Sequence, residues 1–286
     1  MATDAPERVL WRARLLAGVL ALAAIMFRQD PGLIVPDTKL DLTAAPGQFL
    51  MRAMSMWDSH GALGQLQNQA YGYLFPVGPL HVLGVGAGLP EWVVQRLWWT
   101  TVAATAFLGF WFLARALRIG SPWARYFGAF AFALSPRFIS EVAITSVEVW
   151  PMAMAPWVLL PLVNPRRSTV NTGILGSAVA FGLVGGVNAV ATGATLVLPA
   201  LWLLTRGPLR WSVFTFSRWL VLCLAAAMWW IVPLVQLGRY SAPFLDWIED
   251  SRVTTSTAST FNAVQGTTPW LNFLSTAAGP SWPAGW

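Results

Sequence analysis

Long apolar runs broken by short charged stretches dominate the chain. The runs fall at Val9–Phe27, Trp92–Ala114, Trp123–Ile139, Val149–Val163, Ile174–Asn188, Ala189–Leu204 and Phe216–Leu237. Stretches approaching about 20 apolar residues are what a helix needs to cross a hydrocarbon core of about 30 Å. The pattern predicts an all-α integral membrane protein, a polytopic helical bundle of about seven spans. A further run, Tyr73–Leu89, is interrupted by Pro76, Pro79 and four glycines, and reads as a helix lying on or dipping into the membrane surface.

Charge sets the expected orientation. Arg8, Arg12 and Arg14 precede the first run, which ends in Phe27-Arg28-Gln29-Asp30 without a small-residue cleavage site, so an uncleaved span is expected. With its front cytoplasmic, Arg115, Arg118 and Arg125 must return to the inside, and one crossing lies between Arg28 and Arg115. The uninterrupted Trp92–Ala114 run takes that crossing. Gly173–Leu204 is too long for one span, so two short tilted helices turning near Asn188 are expected, or failing that a re-entrant pair. The resulting topology puts eleven of the eighteen basic residues on the cytoplasmic face and ten of the twelve acidic residues on the outer face. Acidic residues count little in orientation, so their clustering needs a separate explanation.

Composition agrees with a membrane protein. Hydrophobic residues make up 56% and charged residues 10% of the 286, against about a quarter charged in a soluble domain. The net charge of +6 comes from basic residues scattered singly or in pairs beside apolar runs, which argues for orientation signals and against nucleic acid. Cys223 is the single cysteine, so neither an intrachain disulfide nor a cysteine-based metal cluster can form. His60 and His81 are the only histidines, too few for a histidine-rich metal site. A divalent cation bound by carboxylates is compatible with the sequence, and no other cofactor is called for.

Four stretches bring carboxylates to the expected outer face. The first is "LIVPDTKLDLTAAP", where Asp37, Lys39 and Asp41 fall within five positions just after the first span. A helix starting near Asp37 would fix that carboxylate at a helix N-terminus and put Asp41 on the same face. A solvated N-cap and ion pair is the plainer account, but the stretch lies at the depth of a lipid headgroup. The second is "MWDSHGALGQLQNQAYGYLFPVGP", offering Trp57 and Tyr71 as stacking surfaces, Asp58 and His60 as polar groups, and Gln67, Asn68 and Gln69 as amides. Aromatic faces beside amides suit sugars, although an interfacial aromatic belt explains the aromatics equally well. The third holds Arg137, Glu141 and Glu148, and the fourth, "GRYSAPFLDWIEDS", holds Arg239, Asp246 and Glu249. Arg96, just inside a span, is costly there and is expected to serve a function, with a lipid phosphate as its natural partner.

The strings "PDTKLDLTAAPGQFL", "LGQLQNQAYGYLFPVGP", "QRLWW", "FALSPR" and "GRYSAPFLDWIE" resemble the N-terminal membrane region of the large alpha-(1→3)-arabinofuranosyltransferases of mycobacteria and related actinobacteria, the AftD type. The resemblance implies a GT-C type glycosyltransferase of the plasma membrane with external juxtamembrane helices in its first outer loop. Its donor would be decaprenyl-phosphoryl-arabinofuranose, and its acceptor a growing arabinan of arabinogalactan or lipoarabinomannan. By position in that loop, Asp37 matches the family's catalytic acid, with Asp41 next. Lys39, Arg96 and Arg239 are the candidates for the donor phosphate. Trp57, Asp58, His60, Gln67, Asn68, Gln69, Tyr71, Glu148, Asp246 and Glu249 are the candidates for sugar and acceptor. Residues 1–238 would form the membrane region, with the first external loop at 28–91, and 239–286 the start of an extracytoplasmic region. Family members are far longer, so an N-terminal fragment is expected.

Two other readings compete. A transporter or flippase for a lipid-linked sugar would bury charges at mid-bilayer and break helices there. A non-catalytic membrane scaffold would need no site at all. The gathering of acidic residues on one face favours surface chemistry.

Overall fold

The computed structural model describes residues 5–28, 30–37, 39–59, 64–66, 70–163, 170–240, 259–265, 275–276 and 279–280. It is helical almost throughout. Helix α1 (Ala5–Met26) is followed by the short α2 (Leu40–Ala44) and α3 (Pro46–Ala53). A small hairpin then pairs β1 (Trp57–Asp58) with β2 (Gln65–Leu66), antiparallel, and a 3-10 turn over Ala70–Tyr73 leads into α4 (Val77–Gly86). The bundle continues with α5 (Glu91–Ala116), α6 (Pro122–Ala133), α7 (Pro136–Val142) and α8 (Ser146–Val163). It is completed by α9 (Val170–Gly182), α10 (Ala189–Ala194), α11 (Val197–Thr205) and α12 (Leu209–Tyr240). Beyond these lie α13 (Thr260–Gln265) and the paired β3 (Ser275–Thr276) and β4 (Gly279–Pro280).

Among the described residues, four helices are long and apolar enough to cross a membrane: Val9–Met26 within α1, then α5, α8 and α12. The other apolar helices among the described residues are shorter. α5, with 26 residues, reaches about 39 Å at about 1.5 Å per residue. It is the central element, packed against α1, α4, α6 and α8. Its inner face carries Trp98, Trp99, Val102, Ala103, Ala106 and Phe107, all buried, so this one helix supplies much of the core.

One expected span breaks in two. The run Trp123–Ile139 forms α6 and α7, separated at Leu134 and Ser135. Pro136 is the cause: it lacks an N–H and pushes the preceding residue out of the helical region, and Ser135 lies at φ −62°, ψ 152°. The expected turn near Asn188 is found. The Asn188 side chain accepts a hydrogen bond from the Ala191 amide at 3.0 Å and caps α10.

α9 and α12 approach closely because Gly182 has no side chain. A Cβ there would lie 2.8 Å from the carbonyl oxygen of Ala226. At the other end of α1, the Arg14 guanidinium lies 4.6 Å from the rings of both Trp11 and Trp123, and Tyr126 donates its hydroxyl to the Arg14 carbonyl at 3.0 Å. This clasp ties α1 to the start of α6.

Candidate functional site

The segment after α1 is held down by the first turns of α5. The Gln95 carboxamide donates to the Val35 carbonyl at 2.8 Å and accepts from the Val35 amide at 3.1 Å. Next to it, Arg96 donates to the Leu33 carbonyl at 3.1 Å, and its guanidinium lies 4.3 Å from the Trp99 ring centroid. Both side chains are buried. The guanidinium also donates to Gln95 Oε1 at 3.3 Å, while its Nε is buried with no hydrogen-bond partner, so the main-chain carbonyl, the carboxamide and the aromatic face offset only part of the cost of placing an arginine inside the bundle.

That fixed segment delivers Asp37 to the head of α8. Asp37 has φ +41°, a left-handed conformation that Asp tolerates better than most residues. Its Oδ1 accepts from the main-chain amide of Ser146 at 2.6 Å, and its Oδ2 accepts from the Ser146 hydroxyl at 2.5 Å. Trp99 Nε1 adds a longer donation to Oδ2 at 3.4 Å. Ser146 is the first residue of α8, so its amide has no partner within the helix. Asp37 supplies that partner from 109 residues away, where the positive end of the helix dipole favours an anion.

Burial nonetheless dominates the titration of Asp37. Loss of water raises its carboxyl above the usual range, and the donations from Ser146 and Trp99 pull it part of the way back. Such a carboxylate is a stronger base than an exposed one.

Asp41 sits differently from the sequence expectation. The helix begins at Leu40, not near Asp37, so the two carboxylates do not share a helix face. Asp41 is exposed and ion-paired with Arg52 at 2.8 Å. Lys39 occupies the N-cap position of α2, half-buried, two residues beyond Asp37. Arg239 is exposed in the last turn of α12.

The hairpin shows Trp57 exposed and Asp58 half-buried in β1. Tyr71 is not a surface platform. It is buried in the 3-10 turn, which pushes its hydroxyl up to about 12. Glu148, in the first turn of α8, lies 3.7 Å from Arg137, which also donates to Glu141 at 3.1 Å. Burial raises the Glu141 carboxyl, partly offset by Thr145 and Arg137. His60, Gln67, Asn68, Gln69, Asp246 and Glu249 lie outside the described residues. Among the described residues, no three His, Cys, Asp or Glu side chains come together to hold a metal ion.

The sequence reading missed Ser146, Gln95, Trp98 and Trp99. A signal existed: "QRLWW" puts Gln95, Arg96, Trp98 and Trp99 within about one turn of α5, and each of them contacts Asp37, Ser146 or the segment leading to Asp37.

A large apolar groove opens beside this assembly, about 1180 Å³ in volume, bounded by α4, α5, α8 and α9. Leu83, Val94, Leu97, Ala104, Leu108 and Val179 are among its walls. Thr100 and Thr101 also line it, but their hydroxyls donate to the carbonyls of Arg96 and Leu97 at 2.8 Å each, so these side chains add no unsatisfied donor. Trp150 lines the groove and packs against Trp98 at 5.3 Å, and Trp98 donates to the Ser146 hydroxyl at 2.7 Å. A pair of indoles therefore links the groove wall to the network that holds Asp37.

The class defined here is a helical membrane bundle in which a partly buried carboxylate caps a helix near an apolar groove. Residues 21–286 match the family model for the N-terminal GT-C domain of alpha-(1→3)-arabinofuranosyltransferase, and the chain belongs to that family. It is 46% identical over 262 residues to the alpha-(1→3)-arabinofuranosyltransferase of Mycolicibacterium smegmatis, covering 90% of this chain and 18% of that protein. It is 44% identical over 264 residues to the protein of the same name from Mycobacterium tuberculosis, covering 91% and 19%. The cryo-EM structure of the arabinofuranosyltransferase AftD from mycobacteria superposes with a TM-score of 0.78 at 41% identity, covering 89% of this chain and 20% of that one. The chain thus spans about a fifth of the length of these relatives.

Proposed function

We propose that the chain is the membrane part of an arabinofuranosyltransferase that moves arabinofuranose from decaprenyl-phosphoryl-arabinose to a cell-wall arabinan with inversion. The name and identity of its relatives support arabinofuranosyl transfer. The observation that carries the site is the Asp37 carboxylate, desolvated yet held by Ser146 at the head of α8. Asp37 takes the proton of the acceptor hydroxyl as its oxygen bonds to the anomeric carbon. The bond from that carbon to the phosphate oxygen breaks on the opposite face, and the lipid phosphate leaves with the bonding pair.

The groove beside α5 suits the polyprenyl tail, being apolar and large, and the Trp98–Trp150 indole pair links its wall to the residues that hold Asp37. The departing phosphate needs positive charge. Lys39 is the favoured group, because Arg96 is buried against Leu33, Gln95 and the Trp99 ring. Arg239 remains a second candidate from the end of α12. Trp57, Asp58 and Glu148 are the described candidates for the acceptor sugar. In this reading the N-terminus is cytoplasmic in the plasma membrane, and the segment from 28 to 91 faces outward, with 239–286 entering an external region.

The test is transfer from decaprenyl-phosphoryl-arabinose to a synthetic arabinan by the full-length protein and its Asp37→Asn and Asp41→Asn variants. Loss of transfer in Asp37→Asn alone is expected. Unchanged transfer in that variant would remove Asp37 from the mechanism.

A further inference from the structure

Ser146 binds both oxygens of Asp37, and its own hydroxyl is oriented by a third residue. The indole N–H of Trp98 can only donate, and it donates to Ser146 Oγ at 2.7 Å. A serine hydroxyl has one proton. With Trp98 occupying an acceptor position, that proton goes to Asp37 Oδ2 at 2.5 Å, while the main-chain amide of the same residue holds Oδ1 at 2.6 Å. The distance to Oδ2 is in the short range of hydroxyl-to-carboxylate bonds. Trp98 and Ser146 are both buried, so water does not compete for either group.

We propose that Ser146, oriented by Trp98, is a positioning residue for the base: its amide and hydroxyl grip both oxygens of Asp37, favour the carboxylate form and fix its plane. The inference rests on the reading that Asp37 takes the acceptor proton. A plain helix cap would need only the amide of Ser146, which any residue but proline supplies. The hydroxyl and the indole behind it add a charge-assisted donor that helix capping does not require.

The elements that carry this network, and those next to them, also carry charged groups. Arg96 on α5 lies over Trp99, Glu91 opens the same helix, and Glu148 on α8 is near Arg137 of α7, which also pairs with Glu141. On the chain that carries Asp37 itself come Lys39 and then the Asp41–Arg52 pair. Ser146→Ala leaves all of these in place, keeps the amide cap, and deletes one donor to Oδ2.

The experiment uses the full-length protein and two readouts. The first is the pH profile of kcat/KM for arabinose transfer. The second is an infrared titration of the Asp37 carboxyl, its band identified by its loss in Asp37→Asn. Ser146→Ala is expected to move both the acid limb and the carboxyl titration up by about one pH unit, about tenfold in rate below the limb, with little change above it. Trp98→Phe, which keeps the ring against Trp150, is expected to move them the same way by less, and Ser146→Thr to return them to the original position. A uniform loss of rate in Ser146→Ala with an unmoved carboxyl band would overturn the inference while leaving Asp37 as base. Full transfer by Asp37→Asn would instead sink the base reading, and the band position in Ser146→Ala would still decide whether Ser146 governs the carboxylate.

Discussion

The carboxamide of Gln95 binds both main-chain groups of Val35, donating at 2.8 Å and accepting at 3.1 Å. A primary amide presents donor and acceptor much as a peptide does, so Gln95 pairs with Val35 as an adjacent strand would. The segment two residues before Asp37 is thereby fixed to α5, and the left-handed turn at Asp37 starts from a defined point.

Gln95→Leu keeps volume but leaves the Val35 amide and carbonyl without these partners. It should lower stability by about 1–3 kcal/mol and slow transfer about tenfold or more. Thermal unfolding in detergent, run beside the transfer assay, checks both. A normal unfolding temperature with full transfer would show that the clamp does not matter.

Transfer should depend on pH through Asp37. A base works only when deprotonated, so the rate rises as pH passes the carboxyl's value. Burial raises that value, and the acid limb should therefore lie above the ~4 of a free aspartate. A limb at or below that point, measured with saturating acceptor, would contradict a desolvated base.

Asp41 and Arg52 form an exposed pair, and such pairs contribute about 0–1 kcal/mol. Asp41→Asn and Arg52→Ala should change unfolding temperature and transfer only slightly. The contrast with Asp37→Asn is the point of the comparison. A large loss of kcat in Asp41→Asn would make it the base.

Filling the groove should act on the lipid and not on the chemistry. Ala104→Trp, on the groove face of α5, should raise KM for a long-chain polyprenyl donor while leaving a short-chain donor nearly unaffected. Equal effects on both donors would place the tail elsewhere.

Much of the scaffold was legible in the sequence. The runs at Trp92–Ala114 and Phe216–Leu237 lie inside α5 and α12, and the turn at Asn188 follows from its capping side chain. Helix termini were less legible. Ser135-Pro136 carried the local signal that divides α6 from α7, yet hydropathy alone runs straight through it. The partner of Asp37 was not legible, because an amide at the start of a distant helix has no residue-type signature. Arg96 was recognisable as unusual, but burial beside Trp99 and Leu33 makes it first a strut for the Asp37 segment.

The contact between Asp37 and Ser146 spans 109 residues, with α5 supplying the indoles between and behind them. During synthesis the carboxylate emerges long before the amide it will bind. Until α8 has docked on α5, Asp37 lacks the Ser146 amide and hydroxyl that hold it. The chain therefore acquires this clasped carboxylate late, as a product of bundle closure, and a nascent or misassembled bundle has no such group.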